Sequence, residues 1–90
     1  MVLTLMPLPT GPTKAVAPLA QQALDSITKE EARKGRITAT LEEVRYLPDG
    51  REVWVLRTLG DGGLAYVVSF AAPSQAGSNI RMTGPHSYAK

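Results

Sequence analysis

The stretch Gly60-Asp61-Gly62-Gly63 is where residue types and spacing come closest to a chemical site. Glycine-rich backbone can wrap a phosphate, an aspartate among glycines can help hold calcium, and the same residues can bend a hairpin. A phosphate cradle needs its glycines to lead from a strand into a helix N-terminus, where free N–H groups and the helix dipole converge on the anion. Here they lead into Leu64 to Ala71, whose residues alternate large and small as a strand does, and no Gly-Lys-Ser/Thr follows. Calcium needs several alternating oxygen ligands, and Asp61 stands alone. A hairpin bend is the expectation.

The remaining reactive side chains are few. His86 is the only histidine, and its neighbour Ser87 gains no useful geometry from adjacency, so it reads as a solvated residue of a tail. The chain has no cysteine, which removes thiolate zinc sites, disulfides and cysteine nucleophiles. The paired acids Glu30-Glu31 and Glu42-Glu43 point in diverging directions on a helix or a strand and form no dyad by themselves, so both pairs read as solvated surface. The expectation is therefore no enzyme, no catalytic residue, no metal site and no cofactor.

Positive charge gathers at Lys29, Arg33, Lys34 and Arg36, and Arg81 and Lys90 add to it near the end of the chain. Such an edge suits phosphates or an acidic partner, which makes electrostatic nucleic-acid binding the alternative expectation. Against it, Glu30 and Glu31 fall inside the cluster, the net charge is only +2, and the aromatics Tyr46, Trp54, Tyr66 and Phe70 read as sheet residues, leaving only Tyr88 to stack on a base.

These residues must be held by a small fold. Ninety residues suffice for one domain. Residues 1–17 carry a run of prolines and form an arm, with Val2 to Met6 as a short edge strand or an unpacked terminus. The apolar start is interrupted by Pro7 and Pro9 and falls short of the roughly 20 residues that cross a bilayer, so neither a membrane span nor an intact signal peptide is expected. Localisation is left open, with the cytoplasm slightly favoured.

Residues 18–84 make a single α+β domain, and 85–90 a flexible tail. Leu19, Ala20, Ala23, Leu24 and Ile27 repeat at helical spacing behind Pro18, which suits a first helical turn. Thr28-Lys29-Glu30-Glu31 matches a capping box, which predicts a break and restart there, and Gly35 supplies the stop. Beyond it the period becomes two, with a bulge near Glu42-Glu43, a turn at Leu47-Pro48-Asp49-Gly50, strands over 52–59 and 64–71, and a short strand over 80–83. The layout is one helix packed on a three- to four-stranded antiparallel meander, and it resembles the cystatin-like and related one-helix-on-sheet folds. The Gln-x-Val-x-Gly hairpin of cystatins is absent from both turns, so the resemblance implies layout and not protease inhibition.

One helix covers one sheet face. Leu64, Tyr66, Val68 and Phe70 supply the face for the helix, which leaves Val53, Val55 and Val67, with Ala65 and Ala71, on the other. An uncovered apolar face is a surface for a protein partner or for homo-oligomerisation. The preferred expectation is a non-enzymatic interaction module that uses Val53, Val55 and Val67.

Overall fold

The computed structural model describes residues 2–5, 8–35, 38–58 and 62–89. The elements follow as β1 (Val2–Thr4), α1 (Ala17–Arg33), β2 (Thr38–Tyr46), β3 (Glu52–Thr58), β4 (Gly62–Phe70) and β5 (Ile80–Ala89). They build one five-stranded sheet in the order β1-β5-β4-β3-β2. The last four strands form the expected antiparallel meander, and β1 adds to it by pairing in parallel with β5. With α1 on one side, this is an α+β layout of one helix on an antiparallel sheet.

Helix α1 starts where Pro18 can occupy its first turn, and Val16 caps it through the backbone alone. The Val16 carbonyl accepts from the Ala20 N–H at 2.9 Å, while its own N–H donates to the Pro73 carbonyl at 2.8 Å. The buried stripe runs Leu19, Ala23, Ile27, Glu31 in steps of four. The expected break at Thr28 does not occur. Glu31 carries the stripe one turn further because the Tyr66 hydroxyl donates to its carboxylate, and Thr28 bonds back to the Leu24 carbonyl at 2.9 Å instead of capping a new turn. Glu31 is thus buried, where a solvated pair was expected, since a charged residue can close an apolar stripe if its oxygens are satisfied. Gly35 ends the helix with φ +84.

The two-residue period places Trp54, Leu56, Tyr66 and Val68 against Ala23 and Ile27. The register of β2 against β3 shifts between Leu41 and Glu43, the expected bulge, which lets Leu41 and Val44 meet the same core. Gly50 closes the β2–β3 turn with φ +93, and its N–H donates to the Leu47 carbonyl at 3.1 Å. Thr58 pairs with Gly62 at the β3–β4 hairpin. Gly60 and Asp61 lie outside the described residues.

The end of the chain departs from expectation. Instead of stopping near Thr83, β5 continues to Ala89, so residues 85–89 belong to the sheet and not to a tail. Gly84-Pro85 reads as a breaker because proline brings no donor to a ladder. The sheet absorbs both residues in a register shift: Val67 faces Thr83, and Ala65 faces His86.

Candidate functional site

The outer sheet face, opposite α1, carries Val53 and Val55 from β3 and Ala65 and Val67 from β4. All four are buried, and the element that buries them is the N-terminal arm. Leu5 is fully buried against them, with Leu8, Leu47 and Tyr88 around it. The face expected to be open is therefore covered in this chain, because a proline-interrupted segment that can form neither helix nor long strand still lays leucines across a flat apolar surface.

The arm is held by polar contacts along its length. From β1 it crosses the outer face to the β2 edge, where the Tyr46 N–H donates to the Pro9 carbonyl at 3.0 Å and the Gly11 N–H to the Val44 carbonyl at 3.2 Å. Arg45 projects onto the same face and fixes the crossing. Its Nη1 donates to the carbonyls of Leu5 (3.1 Å) and Leu8 (2.9 Å), and its Nε meets Glu43 at 3.0 Å. Further on, the arm passes the start of β3. There the Glu52 carboxylate accepts from the Thr13 hydroxyl at 2.7 Å, the Lys14 N–H at 2.9 Å and the Trp54 indole N–H at 2.8 Å. Gly11 lies so close to the Tyr46 ring that any Cβ there would strike it.

At Val67, on the border of the covered cluster, the outer face changes character. A cavity of about 280 Å³ is lined by Arg51, Val67, Ser69, Arg81 and Thr83. Ser69 and Arg81 are cross-strand partners, as are Val67 and Thr83, so each pair shares a face. Arg51 directly precedes β3, whose Glu52 faces Val68, which brings it beside Ser69 from the other side. Its Nε is held by Asp49 at 2.6 Å. Asp49 is in turn held below its ordinary pKa range, first by the Arg51 backbone N–H, with the Arg51 guanidinium adding to the effect. Arg81 has no carboxylate partner among the described residues. At the rim, the Thr83 hydroxyl lies 3.4 Å from His86 Nε2.

The basic residues expected to act together are divided. Lys29 is exposed on α1. Arg33 pairs with Glu30 at 2.7 Å, and Lys34 lies 3.8 Å from Glu30 and 3.7 Å from Glu31. Arg36 lies outside the described residues, and Arg81 sits on the opposite face of the sheet from α1. Arg51, Ser69 and Thr83 escaped sequence reasoning. Odd-numbered positions of β4 signal which face Ser69 takes, but the register that sets it between two arginines is carried by no local pattern. Among the described residues, no group of three or more His, Asp or Glu side chains is placed to hold a metal, and no helix is long and apolar enough to cross a membrane.

Comparison with known protein families, curated proteins and solved structures finds no match to this chain.

Proposed function

We propose that this chain is a small, non-enzymatic interaction module whose outer sheet face receives an extended apolar segment, with the arm of a second copy as the partner. The observation that supports the reading is the laying of Leu5 and Leu8 over Val53, Val55 and Val67. The face already takes one extended segment, and an identical segment from another copy makes the same contacts. Exchange of an identical element is a low-cost route to a dimer, because the contacts in the closed monomer are reused and only the connection changes. Here the connection is the run from Pro9 to Val16, which leads from the exchanged leucines into α1.

Light scattering on a size-exclusion column tests this over a concentration series. The expected result is a dimer fraction that rises with protein concentration and falls when the arm residues Leu5 and Leu8 are both replaced by serine in a chain that stays folded. A strictly monomeric protein up to about millimolar concentration, where even weak specific pairs form, overturns the proposal.

A further inference from the structure

We propose that the cavity lined by Arg51, Val67, Ser69, Arg81 and Thr83 is an oxyanion site, taking a phosphoryl or carboxylate group of a small ligand. The argument starts from the ladder. Ser69 lies on β4 with Arg81 as its partner on β5, and Arg51 comes from the opposite side at the head of β3. Neighbouring strands lie about 4.8 Å apart, so the two guanidinium-bearing residues flank the serine hydroxyl across a span an oxyanion can bridge. The next row supplies Val67 as an apolar floor and the Thr83 hydroxyl as a further donor.

The lining is positive, with one acid, Asp49, paired to Arg51 behind it. Two arginines line the cavity and no acid does. Asp49 occupies only the Nε of Arg51, from outside the lining, which leaves the two Nη groups to donate. Asp49 therefore orients Arg51 without filling the site. Arginine suits such a role because its fork offers paired N–H donors to phosphate or carboxylate oxygens, and it stays charged at any working pH. The volume, about 280 Å³, is about nine times a water's share of the liquid, so it admits the oxyanion together with a small body attached to it. The site borders the arm-covered face and shares Val67 with it, while its two arginines and two hydroxyls lie outside that cluster.

Titration of the full-length protein with inorganic phosphate, and separately with malonate, followed by ¹H–¹⁵N spectra, tests the proposal. The expected result is saturable shifts at the amides of residues 67–69 and 81–83, with millimolar affinity for at least one anion, and the stronger of the two identifies the preferred oxyanion. Arg81→Gln and Arg51→Gln, both at exposed positions, should each weaken the binding about tenfold, and Arg81→Gln, which breaks no ion pair among the described residues, should leave the Tm unchanged. Absence of saturable shifts overturns the site, as do equal shifts from sodium chloride at matched ionic strength or unchanged affinity in Arg81→Gln.

Discussion

The indole N–H of Trp54 donates to the carboxylate of Glu52 at 2.8 Å, two residues back along the same strand and on the same face. The same carboxylate takes the Thr13 hydroxyl and the Lys14 N–H, so one acid joins the helix-side core to the arm. Glu52→Ala should leave three donors without their acceptor and cost about 3 kcal/mol. Glu52→Gln should recover part of that loss, since an amide oxygen still accepts. Urea unfolding followed by the fluorescence of the single tryptophan measures both. A Glu52→Ala midpoint equal to wild type would show that the arm is not anchored there.

Arg45 is the second anchor. Replacing it with alanine removes the side-chain donor to the Leu8 carbonyl and leaves the Leu5 carbonyl with only the Leu8 N–H, at a cost of about 1–2 kcal/mol. The loss should be local. Hydrogen exchange should quicken in residues 8–12 and at the outer-face amides before it quickens in α1, and limited proteolysis should cut the arm first. Uniform acceleration across the chain would contradict the local character of the contact.

Gly63 sits in extended strand backbone, yet a Cβ built on it would run into the Tyr88 hydroxyl. Its glycine is required by close approach, whereas that of Gly50 is required by its positive φ. Gly63→Ala should therefore cost about 1–3 kcal/mol, and the double variant with Tyr88→Phe should recover part of it by removing the nearest atom. Gly50→Ala meets open space and should cost only about 1 kcal/mol of backbone strain. Thermal unfolding of wild type, Gly63→Ala, Tyr88→Phe and their double variant gives the double-mutant cycle, and strict additivity would mean that Gly63 and Tyr88 do not touch.

Asp49 gives the turn a pH dependence. Because its folded pKa lies below its unfolded one, its contribution is present above the ordinary aspartate range and is lost as pH falls through the lowered value. Asp49→Asn should flatten this acid limb of the stability profile, and a carboxyl titration by NMR should place Asp49 below the ordinary aspartate range. A midpoint in the ordinary range would mean that Arg51 does not hold it.

Much of the fold is legible in local patterns because it rests on periodicity. The four-residue stripe of α1, the alternation in β3 and β4 and the glycine at Gly50 each declare themselves within a few residues. Three features do not. Glu31 continues the helix only because Tyr66, distant in sequence, satisfies it. Pro85 belongs to a strand only because the register shift accommodates it. The outer face is covered because Arg45 caps carbonyls of a segment that lacks any regular pattern. The candidate cavity shares this character, since Arg51, Ser69 and Arg81 meet through strand register and nothing near each of them announces the others.

The pairing of β1 with β5 also fixes an order of events in time. Residues 2–4 leave the ribosome before every other described element, yet their hydrogen-bonding partners, residues 87–89, belong to the last of the described strands to be made. Contacts between such distant segments form late, because the whole intervening chain must be closed into a loop to make them. A nascent chain stalled before residue 80 has its hairpins and helix in hand but no strand for its first residues to join. Residues 2–4 should accordingly be the last to gain exchange protection during refolding, after the part of the arm held by β2 and β3, so that the pairing of β1 marks completion of the fold.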